Sequence, residues 1–289
     1  MAYEEAYKGQ QSLADVEARR KKAETFTIEV PDVTSDEMRK EPLVKDPADL
    51  EGLKALIAAT PYRVGVGREG ARPSTRTYLQ MRADHAACVD SLQYNLPKGE
   101  LDKMGVVYAG ESQALGDMES YRRHPDLGRR LSDAAKEVVL AKCKKNPTVQ
   151  IILSNGLSGY AIERYAPDVL KAMTDGLTAA GIDVGTPVYV NRGRVGLLND
   201  LGELLNAKVS VLLIGERPGL IVSDALSLYM GYMQRWEPLT TDGNRDNICQ
   251  ISKRGKDPLE AAAEAVALIK DYLEYGMSGV ALTEKKRGN

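Results

Sequence analysis

Histidine is nearly absent from this chain, with only His85 and His124 among 289 residues. Cysteine is almost as scarce: Cys88, Cys143 and Cys249 lie far apart, and no Cys-x-x-Cys occurs. A structural zinc site or a Ser/His/Asp triad therefore has too little raw material. Three separated cysteines also argue against a disulfide framework and predict reduced thiols. No apolar run approaches the length of a membrane span. The opening MAYEEAYKGQQ lacks the basic-then-apolar order of a secretory signal. Both features predict a cytoplasmic protein with no membrane contact. Charge of one sign is missing as well. The balance of 39 Lys and Arg against 41 Asp and Glu offers no general attraction for nucleic acid or an anionic surface.

What is present is an ordinary globular composition, 43% hydrophobic and 28% charged. Phe and Trp occur once each against fourteen Tyr. A tyrosine joins apolar area to a polar tip, which suits an interface or a polar ligand.

The chain divides into three stretches by pattern. Residues 1–45 read as an arm or linker: LADVEARRKKAET suits a short charged helix, and TIEVPDVTSDEMRKEPLVKDP has a linker's prolines and charges. Residues 46–146 read as mainly helical. DPADLEGLKALIAAT has a capping residue, an early proline and Leu50, Leu53, Leu56 and Ile57 at helical spacing. Residues 74–92 predict a second helix whose stripe of Tyr78, Met81, His85, Cys88 and Leu92 belongs to a core or interface, and a third follows over about 126–145. From 147 to 289 the class changes. The apolar runs VQIILSN, TPVYVNRG and VSVLLIGE alternate with helical patterns and lack strict period-two alternation, as strands covered on both faces do. The expected fold is α/β, a helical N-terminal domain followed by a Rossmann-like doubly wound parallel sheet. DPLEAAAEAVALIKDYLEYGMSG should close it as a capped helix ending at glycine.

GVGREG at 65–70 matches a dinucleotide fingerprint letter for letter. The context contradicts it: the preceding strand is at most a few residues, Pro73 follows at once, and no acidic residue closes a second strand. Three other loops carry more weight, each at the carboxyl end of an expected strand: Ser154–Ser158, Asn191–Val195 and Gly215–Gly219. Ligands of open α/β sheets gather at that edge. For Glu216 two readings stand: a salt bridge to Arg192, Arg194 or Arg217 that fixes the loops, or a carboxylate accepting hydrogen bonds from a ligand amide or hydroxyl.

In order along the chain stand GRxGxRPxTxxxLxxxADH, RHPDLGRRL, QIILSNGLS, GRVG, LGELLNAKV, VLLIGERPGL and SDALS. Together, from about residue 47 to 280, they resemble the small (light) subunit of ethanolamine ammonia-lyase. The resemblance implies a lyase that depends on adenosylcobalamin and converts ethanolamine to acetaldehyde and ammonia by radical chemistry. It implies a large TIM-barrel subunit as partner, a base-on cofactor shared between the two, and a hetero-dodecamer with six copies of each. It further implies residence in a bacterial microcompartment, with the N-terminal arm tied to packaging against the shell. Cofactor contacts carried over from the family fall on Val195 in GRVG and Glu216 in GERPG. A third contact is a cysteine in the family pattern R-x-C-I-S-N-I-H. This chain departs there: ungapped counting from Arg245 puts Asn247 in the cysteine's place and Cys249 in the next serine's. A backbone contact survives that exchange and a thiol-specific one does not. Two further readings compete: a non-catalytic scaffold of a metabolic complex, and a stand-alone nucleotide-binding α/β enzyme built on GVGREG.

Overall fold

The computed structural model describes residues 17, 18, 21 and 32–288. The chain divides into two units between Glu41 and Pro42. In the first, the described residues hold one short helix, α1 (Asp36–Arg39), whose N-cap Ser35 accepts a hydrogen bond from Met38 N. The helix expected over LADVEARRKKAET lies outside the described residues except at 17, 18 and 21.

The second unit begins with α2 (Leu50–Ala58), capped by Asp49, which accepts from Gly52 N at 2.9 Å. Only Ile57 of its predicted apolar stripe is buried. The stretch GVGREG leads into a small antiparallel hairpin, β1 (Arg68–Glu69) and β2 (Arg72–Pro73), and presents no strand-to-helix phosphate loop. Helix α3 (Thr75–Gln93) then starts at the N-cap Ser74. Its stripe runs the other way from the sequence expectation. Tyr78 and Met81 are 53% and 38% exposed, whereas Thr77, Gln80, Asp84 and Ser91 are buried. The polar face turns inward because partners await it: Arg63 pairs with Asp84, Ser91 shares a hydrogen bond with Ser158 at 2.7 Å, and Thr77 donates to the Gly67 carbonyl.

After α4 (Lys98–Lys103) the chain enters β3 (Val107–Glu111), then α5 (Met118–Arg123) and α6 (Asp133–Lys142). The β/α alternation follows as expected: β4 (Val149–Ser154), α7 (Gly159–Ala179), β5 (Val188–Asn191), α8 (Leu197–Leu204) and β6 (Val209–Gly215). Two strands absent from the sequence reading come next, β7 (Leu226–Tyr232) and β8 (Asp246–Ile251). Helix α9 (Pro258–Tyr275) and α10 (Val280–Arg287) end the fold. As predicted, α9 is capped by Asp257 and stops at Gly276, which is left-handed at φ 66°.

The sheet has six strands in the order β3-β5-β4-β6-β7-β8. The pairs β3–β5, β5–β4 and β4–β6 are parallel, and β6–β7 and β7–β8 are antiparallel. The parallel sheet expected from the sequence is thus a mixed, mostly parallel one. The reason is local: an antiparallel return needs no crossover helix, so the loop 216–225 can send LSLYMGY straight back beside β6. The edge strand β3 comes from the stretch read as mainly helical.

Alternate residues of the central strands serve opposite faces. Val149, Ile151 and Leu153 of β4, with Val211 and Leu213 of β6, pack under α7 and α9. Ile152, Leu212 and Ile214, with Val188 and Val190, pack under α6 and α8. Each such side chain, fully buried, contributes roughly 1.5–3 kcal/mol. The two packed faces hold β4 and β6 rigidly, and with them the loops that leave their ends. Among the described residues no helix is long and apolar enough to cross a membrane.

Candidate functional site

Three loops leave the carboxyl ends of β4, β5 and β6 and are knitted into one ledge. Asn155 Oδ1 accepts from Arg192 N at 2.7 Å, and Ser154 Oγ accepts from Gly193 N at 2.8 Å. Leu157 N donates to the Gly215 carbonyl at 3.1 Å, and Arg194 N to the Gly128 carbonyl at 2.7 Å. From α5, Tyr121 donates its hydroxyl to the Gly193 carbonyl at 2.8 Å. Burial pushes that phenol up to about 12, against a smaller opposing pull from Arg194. Glycine is required where these loops press together. A Cβ on Gly215 would lie 2.1 Å from the Ser158 carbonyl oxygen, and one on Gly156 (φ +52°) would lie 2.5 Å from Ile214 Cγ1.

Beside this ledge lies a cleft of about 400 Å³ lined by Val195, Glu216 and Asn247 together. These are the three residues singled out from the sequence, and they come from separate segments. Cys249 lines it too, because β8 alternates: Asn247 and Cys249 stand two apart on one exposed face, with Ile248 buried between them. The chain therefore offers the amide and the thiol to the same space.

Glu216 makes no salt bridge with a loop arginine. Its Oε1 accepts from the Ser227 hydroxyl and from Gln250 N (2.7 Å), and its Oε2 accepts from Gln250 Nε2 at 2.6 Å. The arginines have other fates. Arg192 pairs with Glu111 at 3.0 Å. Arg194 lies over the Tyr121 ring, 4.2 Å from its centre, and donates to the Tyr121 carbonyl. Arg217 is exposed and has no hydrogen-bond or ion-pair partner among the described residues. The carboxylate thus fastens the end of β8 to β6 and β7. With about four acceptor positions per carboxylate, three of them occupied, one stays open on Oε2.

Sequence reasoning missed Tyr121, Ser227, Tyr229 and Gln250. Tyr121, Ser227 and Tyr229 line the cleft, and Gln250 holds Glu216. The excess of tyrosine signalled the two tyrosines in advance, and the SDALS motif contains Ser227; nothing marked Gln250. Of the two histidines, neither lines this cleft, though His85 lines an adjoining depression of about 560 Å³ with Cys88, Leu157, Arg194 and Arg217.

Residues 50–283 match the family model of the ethanolamine ammonia-lyase light chain. The ethanolamine ammonia-lyase small subunit of Clostridium perfringens is 38% identical over 253 residues, an alignment covering 88% of this chain and 84% of that protein. With a match of that extent, the chain belongs to the family of ethanolamine ammonia-lyase small subunits, and so forms part of a lyase of ethanolamine degradation.

Proposed function

We propose that this chain joins an ethanolamine ammonia-lyase large subunit and presents its cleft at Val195, Glu216 and Asn247 to adenosylcobalamin, for the conversion of ethanolamine to acetaldehyde and ammonia. What supports the reading most is that these three residues, from three separate segments, line one cleft.

The donor set fits such a guest. A corrin ringed with amide arms needs both acceptors and donors at its rim and apolar surface against its edge. Glu216 Oε2 keeps one acceptor position, and the exposed Asn247 amide can both donate and accept. Val195, Leu157 and Ile214 supply apolar wall, and Gly156 lets backbone come close. Asn155 Nδ2 and Arg194 Nε are buried without hydrogen-bond partners, which marks polar capacity the fold itself leaves unused at this edge. A cleft of about 400 Å³ covers only part of so large a cofactor, in keeping with a second subunit enclosing the rest.

When bound, adenosylcobalamin supplies radical chemistry through its cobalt–carbon bond. This chain's residues would hold and orient it: Glu216 and Asn247 would engage amide arms, and Val195 would supply apolar wall.

The test uses the complex of both subunits. Equilibrium dialysis with cyanocobalamin, read by absorbance, should show a dissociation constant at least about fivefold higher for Glu216→Ala. A change below twofold sinks the assignment. Light scattering on the same complex checks the assembly of six copies of each subunit.

A further inference from the structure

The cleft and the adjoining depression share Leu157, Arg194 and Arg217. Charge at this border is lopsided. Glu216 is the one carboxylate among the residues lining either space, and neutral donors from Ser227 and Gln250 already engage it. Arg217 follows Glu216 directly and has no partner among the described residues. Arg194 is fixed by the Tyr121 ring and the Tyr121 carbonyl, and its buried Nε has no hydrogen-bond partner. Arg122, which also lines the depression, has only a 3.4 Å pairing with Glu119. Two guanidinium groups, one pinned and one free, thus border the same space, and its one carboxylate, Glu216, pairs with neither.

A guanidinium is the side chain best matched to a phosphate: planar, permanently charged, and forked to reach two oxygens. We propose that Arg217, together with Arg194, forms an anion subsite for the phosphodiester of the cofactor's nucleotide tail. This rests on the cofactor reading above and goes beyond its three contacts. Within it the arginines divide the work. Arg194 is held in place before any ligand arrives, while Arg217 closes onto the ligand from the loop. A pinned group adds little ordering cost, and a mobile one adds reach.

The experiment compares two ligands on the two-subunit complex: cyanocobalamin, and dicyanocobinamide, which lacks the nucleotide tail. For Arg217→Gln, the dissociation constant of cyanocobalamin should rise about tenfold while that of dicyanocobinamide stays within twofold. Arg217→Lys should fall between, because a lysine keeps the charge and loses the fork. Raising the salt concentration should weaken cyanocobalamin more in the wild type than in Arg217→Gln. Equal weakening of both ligands, or of neither, overturns the subsite. So does a loss of subunit association on gel filtration, which makes Arg217 a contact to the partner. If the wild-type complex takes up neither ligand, the cofactor reading itself falls and the subsite with it.

Discussion

Where β3 and β5 end side by side, a glutamate and an arginine hold each other. At the end of β6, the same two residue types ignore each other. Arg192 pairs with Glu111 across neighbouring strands, and Asn191 adds its amide to the same carboxylate at 2.9 Å. Both charges are largely covered, with side chains 16% and 29% exposed. Glu216 instead takes neutral donors, and Arg217 projects alone. A guanidinium that is covered must be answered from within the chain, because an unpaired buried charge is costly. One left in water carries no such demand and stays available. Residue type alone does not separate a structural arginine from a binding one; the partner already present does.

The strongest way to break this arrangement is to part the loops on which both ends rest. Gly215→Ala would place a methyl against the Ser158 and Asn155 carbonyls at 2.1 and 2.5 Å. A thermal melt should show a loss of about 3 kcal/mol from that overpacking. Unchanged melting would mean that the ledge is softer than its geometry implies.

Next comes the covered pair. Glu111→Ala strands the Arg192 guanidinium and should cost roughly 2 kcal/mol, read as a lower urea midpoint. Arg217→Ala, the matched control, should move that midpoint by less than about 0.5 kcal/mol. Equal effects from the two would erase the distinction.

A loss smaller than that of Glu111→Ala falls on Tyr121, which holds the loop after β5. Tyr121→Phe removes the bond to the Gly193 carbonyl and should cost about 1 kcal/mol near neutral pH. Its pH dependence follows from the raised phenol. The folded state holds that proton more tightly than the unfolded chain, whose value is near 10. The contribution is therefore complete below about pH 10 and is lost as pH rises through about 12. Urea midpoints on either side of about pH 10 should converge for wild type and variant as pH climbs. A constant gap would assign the loss to packing alone.

Much of this was readable in advance, and the limits have physical causes. β4 and β6 announce themselves as continuous apolar runs because helices cover both their faces. α9 was legible from both caps. β7 was not, although it is apolar, because it returns without a crossover helix and breaks the alternation that identified the others. β8 was hidden because half of it faces out and its sequence DNICQI shows little apolar character. The stripe on α3 misled for a related reason. Arg63 and Ser158, distant in sequence, draw its polar side inward, and periodicity does not register such partners. At the site, the loops could be named from their glycines and polar residues, and the motifs pointed to Val195, Glu216 and Asn247. What holds Glu216 could not be read, since Ser227 and Gln250 reach it only once β7 and β8 have turned back against β6.

That hold has a consequence for association. A solvated glutamate samples many rotamers, and a complex that needs one of them must suppress the rest at the moment it forms. Three donors confine Glu216 as soon as the chain is folded. Its conformational freedom is surrendered in folding, so docking a guest has almost none left to remove. The carboxylate at the mouth of the most apolar strand is a preorganised one.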